Sequence, residues 1–477
     1  MSKYLYGVSV QGIQGFIFAT NQLQEVVGAS EIVKSIEEKF RAFANYEKSD
    51  KRILLNAAGN VKALFDDKES CEHLVKSFAK YIQQEAYGIT VSQALVEISG
   101  EKPTKEEFRK LDNYLKIQRN KPSISLDFSL NIMELNPKTS KPIYAYSKRD
   151  DKLDKATFQK REAYSHWFNQ NRKKDKNFKA LKELSALSNG KNKLAVIHAD
   201  GNGLGTLVLQ LGENLSAFSV ALDEATRQAF EDAKTEGMKI REVILGGDDL
   251  TVICDANEAL GFTQRYLENF EKNTAEIKEL SGLTNKLTAC AGISYTNEKY
   301  PFHYAVDLAE ALCKESKNHA NRVASCVMFH NIQSSNFQKW SKFVDDELTI
   351  SNDEQEIRCD FGPYYLGKKD QPLLSDFINS VEAYRCDGSP ISRLRNWMSE
   401  LNKSHRYSEN LLKRINTITQ QSNDWNFEIM DRNLENLYTG LSNETLIVLK
   451  DQDKEENDLL KTPVYDILQI LSVTEGK

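Results

Sequence analysis

The chain lacks the features of a membrane-spanning, secreted or disulfide-stapled protein. None of its apolar runs approaches the roughly 20 residues that cross a bilayer. Its first residues lead into a strand-like segment without the apolar core of a signal peptide. The 7 cysteines are scattered and contain no CxxC pair, which argues against a zinc knuckle or a disulfide framework. We therefore expect a cytoplasmic protein with reduced thiols and no membrane partner.

The chain also lacks a large excess of positive or negative side chains. The chain has 63 basic and 69 acidic side chains and a formal net charge of −6, which excludes a histone-like positive coat but leaves room for a local basic groove. Hydrophobic residues make up 40% and charged residues 28% of the 477 residues, as is ordinary for a globular protein. At about 100–200 residues per domain, this length indicates three or four domains.

Two separated patterns recur in the sequence at the same spacing. The strand-like segments 4–10 and 193–199 each end in a glycine-containing turn, and the hairpin-like segments 52–64 and 241–253 each contain a central turn. Gln11 and Asp200 are 189 residues apart, and so are Gly59 and Asp248. A repeat at one fixed offset indicates two copies of the same structural unit.

Each copy follows the order strand, helix, hairpin, helix, strand, which is the βαββαβ order of the ferredoxin-like or palm fold. Long helices are expected over 15–44 in the first copy and over 204–234 in the second. The predicted fold class is α+β, with two ferredoxin-like palm domains, the first degenerate and the second with a Gly-Gly-Asp-Asp turn, plus a C-terminal helical domain. The predicted domains are a degenerate palm (1–100), a polar and basic helical connector (101–190), a catalytic palm (191–331) and a C-terminal helical domain (332–477).

The connector contains a run of basic residues, whose commonest role is a solvated helix face. Its alternative role is contact with a phosphate backbone. The run comprises Arg172, Lys173, Lys174, Lys176, Lys179 and Lys182. In 332–477, apolar residues such as Leu394, Trp397 and Leu401 recur at helical spacing, and core packing is their default role.

Three carboxylates of the second copy are predicted to meet. Asp200 ends the first strand, and Asp248 and Asp249 lie in the hairpin turn. Because the palm fold places that strand beside that hairpin, the three side chains should lie at one edge of the sheet. Clustered carboxylates repel one another unless a cation lies between them, and oxygen ligands favour Mg²⁺ or Mn²⁺. We predict a catalytic, metal-binding site for in-line displacement at a nucleotide phosphate.

Residues around these acids are predicted to bind the nucleotide, because glycine turns and helix starts expose backbone N–H groups to phosphates. For Lys314 and Lys317, an equal alternative is a plain solvated role. For Asp248 and Asp249, the alternative is an ordinary hairpin turn. A buried, hydrogen-bonded role is favoured for His198 over a catalytic one. The predicted nucleotide-binding residues are Gly201, Asn202, Gly203, Leu204, Gly205, Gly246, Gly247, Lys314 and Lys317.

The first copy has lost the acidic residues. At the common offset, Gln11 replaces Asp200, and Gly59 and Asn60 replace Asp248 and Asp249. We therefore expect that the first palm binds no catalytic metal and that it supports its partner or shapes a shared cleft.

Several motifs together resemble one protein family. Segment 10–17 (Val-Gln-Gly-Ile-Gln-Gly-Phe-Ile) with 28–30 resembles the first palm of the large, polymerase-like Cmr-type subunit of type III CRISPR effector complexes. Segments 198–205 and 246–249 resemble its catalytic palm, and 389–395 resembles its C-terminal helical domain. The combination of two palms is specific, whereas a Gly-Gly-Asp-Asp turn alone is shared with diguanylate cyclases.

The resemblance implies an ATP-using nucleotidyltransferase in antiviral defence. Its product would be an AMP-containing second messenger, either a cyclic oligoadenylate or AMP joined to S-adenosylmethionine. It further implies that Asp200, Asp248 and Asp249 hold Mg²⁺ or Mn²⁺, that Lys317 lies near the triphosphate, and that S-adenosylmethionine is a co-substrate in some branches. The implied partners are ATP, the other type III effector subunits, guide RNA and the target RNA that activates the enzyme.

Two departures from the family pattern qualify this expectation. Many relatives begin with an HD nuclease domain, but this chain begins at the first palm and contains no His-Asp dipeptide, so we expect no DNA cleavage. Asn202 stands where many relatives have an acidic residue. Two alternative functions stay open: a mainly structural, RNA-binding subunit, and a cyclase that uses GTP to make a dinucleotide.

Overall fold

The computed structural model describes most of the chain, and the connector's Lys176, Lys179 and Lys182 lie outside the described residues. None of the described helices combines the length and apolar character needed to span a bilayer. The described residues are 3–47, 50, 52–57, 59–121, 129–148, 150–174, 183–211, 214–284, 286–333, 339–351, 356–421, 425–450 and 459–476.

The first palm is built on a four-stranded antiparallel sheet in the order β2-β3-β1-β4. Its first helical segment is interrupted near Phe18, where the sequence had predicted one continuous helix from 15 to 44. Its elements are β1 (Lys3–Gln11), α1 (Ile13–Ile17), α2 (Leu23–Ala44), β2 (Ile53–Ala57), β3 (Asn60–Phe65), α3 (Lys68–Glu85), β4 (Thr90–Ile98) and α4 (Lys105–Arg119).

A connecting segment leads from the first palm to the second. It contains a two-stranded ribbon and one long helix, which packs along α2. Lys160 of this helix donates a hydrogen bond from Nζ to the carbonyl oxygen of Phe16, and Arg161 forms an ion pair with Glu25 at 2.9 Å. The elements are β5 (Ala145–Tyr146), β6 (Lys152–Leu153) and α5 (Lys155–Lys174).

The second palm repeats this architecture in a six-stranded sheet of order β14-β11-β10-β7-β9-β8. Strands β8, β9, β7 and β10 occupy the places of β2, β3, β1 and β4, so the ferredoxin-like repeat predicted from the sequence is confirmed. Its elements are β7 (Lys193–Gly201), α6 (Leu204–Leu211), α7 (Leu215–Ala233), β8 (Ile240–Gly246), β9 (Asp249–Asp255), α8 (Ala259–Ala275), β10 (Ala289–Asn297), α9 (Phe302–His319) and β11 (Cys326–Asn331).

The repeat extends one helix further than the sequence indicated. Helix α4 follows β4 and packs on β1 and β4, just as α9 follows β10 and packs on β10 and β7. Leu111 and Leu115 of α4 form a small core with Leu5, which lies on the same face of β1 as Gln11 because side chains alternate along a strand. The predicted connector therefore begins with a helix that belongs structurally to the first palm.

The two palms pack against each other reciprocally. Helix α2 of the first palm contacts β8 of the second, and α7 of the second contacts β2 of the first. Ser30 donates a hydrogen bond to the carbonyl oxygen of Val243, and Lys34 forms an ion pair with Glu242 at 2.5 Å. Helix α5 spans the joint, because the guanidinium of Arg241 on β8 lies 4.3 Å from the ring centre of its Trp167.

The C-terminal region is mainly helical, as predicted, but it also contains a small sheet of order β12-β13-β16-β15. Each of its strands is only three residues long, which is too short to show the alternation of apolar and polar residues that predicts a strand. The elements are α10 (Trp340–Phe343), β12 (Thr349–Ser351), β13 (Glu356–Arg358), β14 (Tyr364–Tyr365), α11 (Leu374–Tyr384), α12 (Ile391–Leu401), α13 (His405–Gln420), α14 (Phe427–Leu437), β15 (Val448–Lys450), β16 (Leu459–Lys461) and α15 (Val464–Val473).

This region is joined to the second palm at two places. Strand β14 extends the palm sheet by pairing with β11. At the far end of β7, Asn189 donates a hydrogen bond to the carbonyl oxygen of Val473 at 2.8 Å, and Lys191 donates one to that of Thr474 at 2.6 Å. One continuous hydrophobic core runs through both palms and the C-terminal helices.

Candidate metal and nucleotide site

The structure brings the three predicted carboxylates together. Asp200 at the end of β7 pairs in register with Asp249 at the start of β9, and Asp248 occupies the two-residue turn before it. One carboxylate oxygen from each of the three residues lies within 4.8 Å of the others. Residues separated by about fifty positions in the chain therefore converge at one edge of the sheet.

The electrostatics of this cluster favour a cation. Burial, followed by the negative charges of Asp249 and Asp200, raises the pKa of Asp248. Burial, followed by the charge of Asp200, raises the pKa of Asp249. Both shifts mean that the anionic forms lack sufficient positive charge around them. The donor set is therefore chemically suited to a hard divalent ion, which binds to carboxylate oxygens.

Lys317 supplies the nearest positive charge. It lies on α9, is buried, and forms an ion pair with Asp200 while donating a hydrogen bond to the carbonyl oxygen of Gly201 at 2.7 Å. Lys314, by contrast, is exposed on the same helix, and no hydrogen bond or ion pair found in the described structure joins it to the three aspartates. Of the two predicted lysines, only Lys317 reaches the acidic cluster.

Gly201 allows the hairpin turn to approach β7. A Cβ atom at this position would lie 2.8 Å from the Cβ of Asp248 and 2.7 Å from Cδ1 of Leu204. Neither neighbour could keep its place against such an atom, so a glycine is required for the carboxylates to converge. Gly247 has a φ of 62°, a conformation that glycine adopts without strain at the first position of a two-residue hairpin loop.

The other predicted nucleotide-binding residues have different surroundings. Asn202 is buried and donates from Nδ2 to Thr288 at 2.9 Å and to the carbonyl oxygen of Ala324 at 3.2 Å, so its amide nitrogen braces the loop. Gly203 has a φ of 71° and precedes α6, which begins at Leu204 and Gly205. Gly246 ends β8 opposite Asp249. Their nucleotide-binding roles stay predictions.

Some residues near the site were not singled out by the sequence. Burial, then Asp307 and Asp249, raises the pKa of Glu310 to about 7, which places a fourth carboxyl group near the cluster. Its spacing of seven residues from Lys317 was a usable signal, because residues two turns apart share a helix face. Tyr266 on α8 is fully buried, and its hydroxyl group has no hydrogen-bond partner in the described structure. Its pKa is raised by burial and then by the three aspartates.

His198 has the structural role that the sequence favoured. It is buried two residues before Asp200, and its Nδ1 lies 3.0 Å from the hydroxyl oxygen of Thr251. Burial lowers its pKa to about 4. A neutral, hydrogen-bonded imidazole at this position supports the strand instead of carrying a proton.

A cleft between the palms opens onto the acidic turn. It has a volume of about 530 Å³ and is lined on one side by Leu204, Gly205, Gly247 and Asp248. An adjoining cleft of about 1280 Å³ includes Asp249. The first palm supplies the basic side chains of the smaller cleft, which are Lys62, Arg109, Lys116 and Arg119. A polyanion placed there would lie between Asp248 and these cations, of which Lys62 already pairs with Asp112 of the same palm at 2.7 Å.

The corresponding edge of the first palm is neutral or basic. Gln11 donates a hydrogen bond to Ser92, Ser9 donates one to Asn60 at 2.7 Å, and Arg119 of α4 donates one to Ser9 at 2.8 Å. These side chains use one another as partners and carry no clustered negative charge. Among the residues that the structure describes, this edge groups no set of carboxylates that could hold a divalent ion.

Comparison with known proteins identifies the second palm. Residues 193–325 match the sequence model of the second palm domain of Cas10/Cmr2. This segment is similar to the second palm of Cas10/Cmr2. The match begins at β7 and ends just before β11, so it includes all three aspartates. No curated protein sequence matches the chain.

Solved structures share the wider fold of this chain. A chain of the Csm1–Csm4 cassette in complex with pppApApA superposes with a TM-score of 0.57 at 13% identity, covering 99% of this chain and 69% of that one. The apo cassette gives a TM-score of 0.52 at 13% identity with the same coverage. A complex with AMPPNP gives 0.48 at 15% identity over 68% of this chain. The chain spans about half the length of this last relative, 54%.

Proposed function

We propose that the second palm is a nucleotidyltransferase that converts ATP into an AMP-containing second messenger for type III CRISPR defence. The convergence of Asp200, Asp248 and Asp249 within 4.8 Å carries the proposal. It is supported by the Cas10/Cmr2 palm match. It is also supported by the fold shared with the Csm1–Csm4 cassette in complex with pppApApA. The product is a cyclic oligoadenylate or AMP joined to S-adenosylmethionine.

The reaction proposed is an in-line displacement at the α-phosphorus of ATP. A hydroxyl oxygen of the second substrate forms the new bond to phosphorus, the bond to the bridging oxygen breaks, pyrophosphate leaves, and the hydroxyl proton passes to solvent. Mg²⁺ or Mn²⁺ bound by the three aspartates would activate the hydroxyl group and neutralise charge on the phosphates. Lys317 holds Asp200 in place through their ion pair.

The proposal places the chain in a larger assembly. The partners are the other type III effector subunits, guide RNA and target RNA, with guide-matched target RNA as the activating signal. The basic side chains at the end of α5, Arg172–Lys174, lie at the outer end of the helix that bridges the palms. They are available for contact with a nucleic-acid backbone, whose affinity comes mainly from such charges.

The test is mass spectrometry of products formed by the purified chain, together with any subunits and RNA that copurify. Reactions contain ATP or GTP, with and without S-adenosylmethionine and target RNA. We expect an AMP-containing product from wild type and none from the double variant Asp248→Ala, Asp249→Ala. A matched control, Asp232→Ala with Glu236→Ala, removes two exposed carboxylates near the C-terminal end of α7 and should retain activity.

Each other outcome selects a different function. Product from GTP alone favours the dinucleotide cyclase. No product under any condition, together with retained RNA and subunit binding, favours the structural role. Unchanged product in the double aspartate variant contradicts the assignment of the site.

A further inference from the structure

Helix α7 contacts the turn that carries the acidic residues through three polar side chains, Asp223, Thr226 and Arg227, which we name the α7 clasp. Thr226 is completely buried, with 0% exposure, and its hydroxyl group donates a hydrogen bond to the carbonyl oxygen of Gly247 at 2.6 Å. The N–H group of the same glycine donates to Asp223 at 3.3 Å. Helix α7 therefore binds both backbone polar groups of Gly247, its N–H group and its carbonyl oxygen.

The third member of the clasp, Arg227, holds Asp223 in place and contacts the end of β8. Arg227 forms an ion pair with Asp223 at 2.8 Å and donates a hydrogen bond to the carbonyl oxygen of Leu245 at 3.2 Å. The end of β8 and the turn that follows it are thus fixed to α7 at Leu245 and at Gly247. A two-residue hairpin turn at a sheet edge usually satisfies its backbone with water, so this arrangement is not required by the hairpin itself.

Fixing Gly247 has a direct effect on the acidic cluster. Asp248 follows Gly247 in the chain, and Asp249 follows Asp248, so a rotation of the Gly247 peptide would move both carboxylates relative to Asp200. The clearance is small, because Asp248 already packs against Gly201. Two repelling, half-buried carboxylates would otherwise move apart.

The first palm shows that the clasp is not a feature of the fold. At the offset of 189 residues, Lys34, Glu37 and Glu38 occupy the positions of Asp223, Thr226 and Arg227. Lys34 forms its ion pair with Glu242 of the other palm. The side-chain types of the clasp are therefore found at these positions only in the palm whose turn carries aspartates.

We propose that Thr226 and Asp223 are positioning residues that hold the Gly247 peptide so that the three aspartates can share a divalent cation. This inference rests on the proposed function of the second palm. Both residues act on the aspartates through the turn. Residues that orient metal ligands from behind typically change metal affinity or activity by roughly 10–100-fold when removed.

The experiment measures Mn²⁺ binding to the full chain by the electron paramagnetic resonance signal of free Mn²⁺, and thermal unfolding, without any substrate. Thr226→Val removes the hydroxyl group and should weaken Mn²⁺ binding roughly tenfold, whereas Thr226→Ser should restore it. The matched control is Thr263→Val, an equally buried threonine whose hydroxyl group bonds within its own helix α8. It should leave Mn²⁺ affinity unchanged.

A second variant keeps the test valid if Thr226→Val folds poorly. Asp223 is partly exposed, with 33% of its side chain accessible, and Asp223→Ala, which removes the acceptor of the Gly247 N–H, should weaken Mn²⁺ binding about threefold, the loss expected for one hydrogen bond. Wild-type Mn²⁺ affinity in both the Thr226→Val and the Asp223→Ala variants overturns this inference and leaves the proposed function standing. No Mn²⁺ binding by wild type overturns both. Weakened binding in the variants, with no nucleotidyl product from wild type, supports the clasp and contradicts the proposed function.

Discussion

The two palms share a strand order and an extra helix on the same face, yet they differ in the charge at one sheet edge. In the second palm, Asp200 and its two partners form an acidic cluster that burial makes unfavourable. In the first, Gln11 and Asn60 are bound within a neutral hydrogen-bonded set. The difference indicates that the strand order of the palm does not require the acidic cluster, and we expect the cluster to lower the stability of the metal-free second palm.

The largest expected effect comes from giving the second palm the neutral character of the first. Asp248→Asn should abolish nucleotidyl transfer, because it removes one of the three carboxylates. It should also raise the free energy of unfolding of the metal-free protein by roughly 1–2 kcal/mol, because mutual repulsion falls. Chemical denaturation in EDTA measures this gain. If Asp248→Asn lost both activity and stability, repulsion among the three carboxylates would not be destabilising the metal-free protein.

The same comparison predicts a pH dependence for the metal-free protein. The pKa values of Asp248 and Asp249 are raised in the folded state, so the folded state holds more protons than the unfolded state above the usual carboxyl pKa. Stability is therefore greatest at low pH with respect to these groups and falls as pH rises through their folded pKa values. Unfolding curves of wild type and of the double variant Asp248→Asn, Asp249→Asn should converge as the pH is lowered.

A second pair of variants compares equivalent glycines. Gly201→Ala places a methyl group against Asp248 and Leu204, and we expect a loss of Mn²⁺ affinity of roughly 100-fold, the upper end for displaced metal ligands. Gly12 stands 189 residues earlier, with a φ of 66° and open space around it. Gly12→Ala should lower the free energy of unfolding by about 1–2 kcal/mol through backbone strain. Its Mn²⁺ affinity should stay that of wild type, and equal effects of the two variants on Mn²⁺ binding would contradict the asymmetry.

The smallest expected effect is that of removing a polar side chain from the neutral edge. Gln11→Ala deletes the hydrogen bond to Ser92 and should cost about 1 kcal/mol of unfolding free energy. Mn²⁺ binding, measured in the same titration, should not change. A weakened Mn²⁺ site would mean that the first palm supplies a ligand across the cleft, against the division of roles described here.

The repeat explains why so much of the fold was predictable. Two patterns at one offset fix the strand order of both sheets and place Asp200 beside the turn before any coordinates are known. Helix continuity was harder to predict, because the apolar residues Phe16 and Ile17 fit the pattern of a long helix and conceal the break before α2.

Other features could not be read because their signal lies in three dimensions. Lys314 and Lys317 are three residues apart, and only the packing of α9 decides which of them faces Asp200. Helix α4 is so polar that the two residues Leu111 and Leu115 gave too little evidence that it covers the first sheet. Thr226 looks like any helical threonine until the hairpin of its own palm is placed against it.

The attachment of Val473 and Thr474 to the segment before β7 links distant parts of the molecule. Asn189 and Lys191 hold this tail, and the strand that begins two residues after Lys191 carries Asp200 as its second-to-last residue. A rigid strand transmits displacement along its length. Any shift of the C-terminal helices that moves this tail would therefore displace Asp200, which lies nine residues after Lys191.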